Sequence, residues 1–333
     1  MQIPSHWAEA TLHHAQDGRK ITIRRYGWSD TSEADAQRLA DERAHEALAR
    51  AAAGEDVVRR EPRRGYNGAE GTPIREEIVD QRGDSVLTRN SYGAVCLNTP
   101  DVLFVDIDDA AFEPPVVGNA GVWVAGILLA LAAGIFVNLS YAPHGWLLAG
   151  LILMGTALIG LRQGRRGEAL GAQRRETALA RVRGQIEQFL AARPDWRLRL
   201  YRTPAGLRLL AVHRTFTPDE AEAQACFAAF EADPIYTRMC QSQRCFRARV
   251  SPKPWRMSYR RGLPTALAHW PVPAASRQAR ERWIQDYTGK AKAFASCHFL
   301  EEFGSGTGHP RALAVQDWHD ELCRAHEARL PLA

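Results

Sequence analysis

Between Arg89 and Arg162 the chain contains no lysine or arginine, although 43 of its 333 residues are one or the other. That gap holds two uncharged apolar runs, and no other feature constrains the fold as strongly. Gly121–Leu139 (GVWVAGILLALAAGIFVNL) has one polar amide, Asn138, in 19 residues. As a helix it would reach about 28 Å, close to the roughly 30 Å of a bilayer's hydrocarbon core. Gly145–Leu161 (GWLLAGLILMGTALIGL) is uncharged over 17 residues. The connection SYAPHG carries Pro143 and Gly145 as helix breakers. Trp123, Tyr141 and Trp146 sit at the ends, where amphipathic rings favour headgroups. Both runs are apolar on every face, unlike the one-sided stripe of an ordinary surface helix. The sequence therefore predicts an antiparallel two-helix transmembrane hairpin, 121–139 and 145–161. Gly126, Ala130 and Gly134 form a small-residue face for close packing, within the hairpin or in self-association with a second copy.

Orientation follows from charge. The hairpin loop has no basic residue, while Arg162, Arg165, Arg166, Arg174 and Arg175 follow the second run, so the positive-inside rule predicts two cytoplasmic termini. Arginine accounts for 39 of the 43 basic residues, a skew that fits a high-GC coding bias and a bacterial inner (plasma) membrane. The opening MQIPSHWAEATLHH lacks the basic and apolar regions of a signal peptide. Six cysteines at irregular spacing suit a reducing compartment.

The hairpin divides the chain into arms of opposite charge, net −7 over residues 1–120 and net +12 over 162–333. Opposite signs favour docking of one arm on the other. In the first arm, 20–26 alternates like a strand, 27–30 reads as a turn, and a helix capped by Thr31 or Ser32 runs to about Ala53. Residues 54–73 read as a loop. Ser85–Arg89, Ala94–Asn98 and Val102–Ile107 read as three strands. In the second arm, 168–192 is predicted helical, 196–202 and 207–213 form a hairpin around Thr203-Pro-Ala-Gly206, and helices follow from Pro218 and over 276–303. Gly304–Gly308 reads as a linker. The first arm ends on a strand of central type, which needs partners from the second. The fold class expected is an α+β cytoplasmic domain interrupted by the hairpin.

Three groups could carry chemistry. Asp106 and Asp108, at i and i+2 on a strand end, face one side and could hold Mg²⁺ or Mn²⁺ through oxygen. Residues 234–280 contain no acid and ten basic groups. Arg244, Arg247, Arg249, Lys253, Arg256, Arg260 and Arg261 are interleaved there with Phe246, Trp255 and Tyr259. Single-stranded nucleic acid wants such a mixture of charge and rings, anionic lipid attracts it, and the acidic arm is a third partner. Cys240, Cys245 and Cys297-His298 could meet as a zinc site, while His309, His319 and His326 read as surface residues of a C-terminal helix.

An apolar strand ending in Asp106-x-Asp108, then a helix, then a hairpin with a small-residue turn resembles the catalytic core of the archaeo-eukaryotic primase–polymerase superfamily. The resemblance covers 102–108 and 196–213. It implies metal-dependent nucleotide or nucleic-acid chemistry, with Asp106 and Asp108 on the metal and a phosphate contact in the hairpin. The family's His is replaced here by Leu207 or Arg208, leaving Arg208 as the phosphate contact, and no third acid follows. The layout as a whole resembles that of uncharacterised bacterial two-span transmembrane proteins. Two functions follow as expectations: an interaction or scaffold role at the inner membrane, or a membrane-tethered protein acting on nucleotides or nucleic acid.

Overall fold

The computed structural model describes residues 1–16, 19–62, 72–112, 126–132, 135, 145–259 and 262–333. It divides into two compact units, one of residues 1–108 and 186–333, the other of residues 109–185.

The first unit opens on a long antiparallel hairpin, β1 (His6–Gln16) and β2 (Arg19–Ser29), followed by α1 (Glu33–Ala52). Ser32 caps α1 by accepting a hydrogen bond from the Asp35 amide at 3.1 Å. Four alanines, Ala36, Ala40, Ala44 and Ala47, recur at helical spacing and are buried against Ala8, Ala10 and Ile23 of the hairpin. Small side chains bring helix and sheet very close. A Cβ on Gly27 would stand 2.0 Å from the Ala36 carbonyl oxygen, so glycine is needed there. The expected turn at 27–30 is a correction: Gly27, Trp28 and Ser29 continue β2, paired with Ala8, Trp7 and His6.

Two four-stranded antiparallel sheets follow. One runs in the order β3 (Glu77–Arg82), β4 (Ser85–Arg89), β5 (Val95–Thr99), β9 (Phe246–Arg249). The other runs in the order β10 (His298–Phe303), β7 (Leu198–Thr203), β8 (Gly206–Ala211), β6 (Phe104–Asp108). Each sheet thus draws strands from both sides of the 109–185 segment. Buried ion pairs cross in the same way: Arg247 reaches Glu76 at 2.6 Å and Arg280 reaches Glu77 at 2.6 Å.

The helix expected over 276–303 is shorter. It is α5 (Arg277–Ala291), and His298–Phe303 forms β10 beside β7. The strand's pattern is broken by a bulge between Phe299 and Glu301, which hides the alternation. Gly304–Gly308 is no loose linker, because Cβ atoms on Gly304 and Gly306 would fall 2.1 Å from the Trp196 oxygen and 2.0 Å from the Asp195 oxygen.

The second unit overturns the largest expectation. Among the described residues no helix is long and apolar enough to cross a membrane. The two-span hairpin, the membrane anchoring, the inner-membrane location and the likeness to two-span transmembrane proteins are therefore not supported. The run 145–161 opens a single 47-residue helix, α2 (Gly145–Ala191), in which Arg162, Arg165 and Arg166 follow without a break. Its uncharged part measures about 26 Å at 1.5 Å per residue, short of a roughly 30 Å hydrocarbon core. From Arg162 onward the same helix is rich in charge. Most of the run 121–139 lies outside the described residues, as do Gly134 and the 140–144 connection. Gly126 is described, and it faces Thr156, whose Cγ2 would meet an added Cβ at 2.4 Å. Leu147, Leu151, Leu158 and Leu161 are exposed.

The last turn of α2 belongs to the first unit, where Phe189 packs on Trp196 and Phe230, with ring centroids 5.1 and 5.3 Å apart. Three more helices complete that unit: α3 (Ala221–Ala229), α4 (Pro234–Gln243) and α6 (Pro310–Cys323).

Candidate functional site

Asp106 on β6 and Arg208 on β8 are direct cross-strand partners. Arg208 donates from Nε to Oδ1 at 2.6 Å and from Nη2 to Oδ2 at 3.0 Å, a bidentate pair. The guanidinium is 2% exposed and the carboxylate 32%. With both Asp106 oxygens engaged, a Mg²⁺ or Mn²⁺ ion shared with Asp108 would have to displace a buried arginine. Asp108 lies two residues on, its pKa raised by burial and by the Asp106 charge, and held back by Lys253 and Arg249. Arg208 is committed to Asp106, the Arg249 carbonyl oxygen at 3.0 Å and His319. It is an internal strut, with no donor turned outward for a phosphate.

The basic stretch separates into buried and partly exposed members. Arg247 is buried on Glu76, so the acidic arm takes it. Arg244 is exposed and caps α4 in the left-handed region, φ 48°, donating its backbone N–H to the Cys240 and Gln241 carbonyls. Arg260 and Arg261 lie outside the described residues. Arg249, Lys253, Trp255 and Arg256 come from one short segment, the end of β9 and the 3₁₀ turn Pro254–Met257.

That segment is firmly anchored. Val250 N–H donates to the Val95 oxygen at 2.9 Å, Val95 N–H to Ser251 Oγ at 2.7 Å, and Tyr287 Oη to the Pro252 oxygen at 2.6 Å. On this base Lys253 is half-buried, with its Nζ 5.6 Å from the Trp255 ring centroid. Burial, then the Arg249 and Arg256 charges, push its ammonium down to about 8, against the pull of Asp108 and Asp106. Trp255 leaves 47% of its surface to solvent and rests edge-on against Tyr92, centroids 5.1 Å apart.

A second cluster lies behind Arg208, and residue spacing alone did not reveal it. His319 and Cys323 are four apart on α6, and Cys297 stands just before β10; all three are fully buried. Their ligand atoms lie within 4.8 Å of one another. The expected Cys240, Cys245 and Cys297-His298 grouping does not form. Cys240 and Cys245 close the end of α4, where the Cys245 N–H donates to the Cys240 oxygen at 3.1 Å. His319 is thus a core residue and no surface decoration. The sequence signal that was available is His-x3-Cys on one helix face.

Comparison of the chain with known protein families, curated proteins and solved structures finds no match. Nothing in those comparisons carries the primase–polymerase resemblance, and function has to be read from the site.

Proposed function

We propose that this protein binds single-stranded nucleic acid at the Arg249–Arg256 segment. The observation that carries the reading is the half-exposed Trp255 ring, with the Lys253 ammonium 5.6 Å from its centroid, on a segment that also carries Arg249 and Arg256. Cations take phosphates, and an accessible indole stacks on bases of any sequence. Burial first, and then the Arg249 and Arg256 charges, disfavour the Lys253 ammonium, and a phosphate placed there would favour it. Arg208 braces the segment through its bond to the Arg249 oxygen.

Fluorescence anisotropy with a labelled oligothymidylate tests the reading. Trp255→Ala should weaken binding by about 1–3 kcal/mol, the usual worth of one stacked base. Lys253→Gln should flatten the log–log salt dependence by about 0.7, the value for one single-strand phosphate. Vesicles containing phosphatidylserine are the control. Equal binding to vesicles, with Trp255→Ala without effect on the oligonucleotide, would refute the assignment.

A further inference from the structure

The cluster behind Arg208 is held by backbone, so its geometry is built before any ligand arrives. Ser296 N–H donates to the Cys323 oxygen at 2.9 Å and Phe299 N–H to the Ala325 oxygen at 2.9 Å, tying the start of β10 to the end of α6. His319 Nε2 lies 3.5 Å from Cys323 Sγ and 3.9 Å from Cys297 Sγ. Ligands of a tetrahedral zinc ion, with bonds of about 2.0–2.3 Å, stand roughly 3.5–3.8 Å apart. Two of the three edges therefore already have that length or nearly so.

The surroundings prepare the imidazole as a ligand. Asp320 Oδ1 lies 2.9 Å from Nδ1 and accepts its proton, while Arg199 Nη2 holds the other Asp320 oxygen at 3.2 Å. A carboxylate on one ring nitrogen fixes the tautomer that presents the other to a metal. Arg208 Nη1, 3.2 Å from Nε2, can only donate, which again places the ring proton on Nδ1. A metal on Nε2 takes the place of that contact, and Arg208 Nε and Nη2 remain on Asp106.

We propose that Cys297, His319 and Cys323 ligate a zinc ion that fastens β10 to α6. Two S–H bonds break, two Zn–S bonds form, and two protons leave to solvent. Nε2 supplies its lone pair, and no electron transfer is involved. Charge balance favours the exchange: two thiolates cancel Zn²⁺, and the neighbouring Arg208 is already neutralised by Asp106. Two sulfurs and a nitrogen form a donor set suited to zinc.

Metal analysis of the freshly purified full-length chain, kept reduced, should find one zinc per chain, and Cys323→Ser should lose it. Because that variant could fail to fold, the wild-type chain supplies the second measurement. After chelation, zinc is titrated back by calorimetry in two buffers of different ionisation enthalpy, and about two protons should be released per ion. Cobalt substituted for zinc should give thiolate-to-metal charge-transfer absorption. Zinc below a tenth of an equivalent with no cobalt band, or fewer than one proton released, would overturn the site, as would a stoichiometric metal other than zinc.

Discussion

The Asp106–Arg208 pair offers a sharp test because its two members are buried so differently. Replacing Asp106 by alanine leaves a guanidinium that is 2% exposed without its counter-charge. Stranding one partner of a buried ion pair costs about 3–5 kcal/mol. Replacing Arg208 by methionine keeps the volume and strands a carboxylate that is 32% exposed, which water can solvate. What remains is the Arg249 oxygen without its Arg208 donor, about 1–3 kcal/mol for a lost buried hydrogen-bond partner. Asp106→Ala should therefore be the more damaging change, and the double variant should be no worse than Arg208→Met. Calorimetric melting at pH 7 reads this out. At about 2–4 °C per kcal/mol for a unit of this size, a 3 kcal/mol loss lowers Tm by about 6–12 °C. Equal losses from the two single variants, or an Asp106→Ala loss under about 1 kcal/mol, would refute the argument that burial of the cation dominates.

Other outcomes follow from the same geometry. Lys253 titrates near 8 in the folded chain against an ordinary 10.5, so between those values the unfolded state binds more protons and stability rises with pH; over the same range oligonucleotide affinity should fall, and Lys253→Met should abolish both trends in pH-dependent melting and anisotropy. His213, pressed against Trp196 at 4.5 Å between ring centroids, is driven down to about 4 by burial. Stability should fall as pH drops from about 6.5 to 4, and His213→Phe should flatten that slope in acid titrations followed by near-UV dichroism. Gly27→Ala should push α1 off the hairpin, at about 1–3 kcal/mol for overpacking, whereas Gly289→Ala, in helical backbone of α5 where an added Cβ meets nothing within 4 Å, should lose nothing, by urea denaturation.

What was legible depended on how local the signal was. Ser85–Arg89 and the hairpin around Pro204-Ala205 carry their alternation and turn residues within a dozen positions, so the reading and the observed strands agree within two residues. β1 escaped because His6–Gln16 is rich in His and Ala, and its pairing with β2 supplies what its propensity lacks. β9, four residues long, is a strand only because β5 lies beside it. The apolar runs misled for the opposite reason: 17 strongly apolar residues outweighed the charged helix they belong to. In the site, Arg247 and Arg249 look alike in sequence, and only Glu76, 171 residues from Arg247, separates the buried ion pair from the half-buried Arg249, which donates to the Ser251 oxygen. His319 was unreadable in the same sense, since Cys297 and Arg208 reach it only through the fold.

Ultraviolet cross-linking of oligothymidylate to the full chain, followed by peptide mass spectrometry, tests the central claim most directly. Cross-links should fall between Arg249 and Tyr259, centre on Trp255, and disappear with Trp255→Ala. Cross-links confined to another basic stretch, such as Arg162–Arg175, would contradict the account.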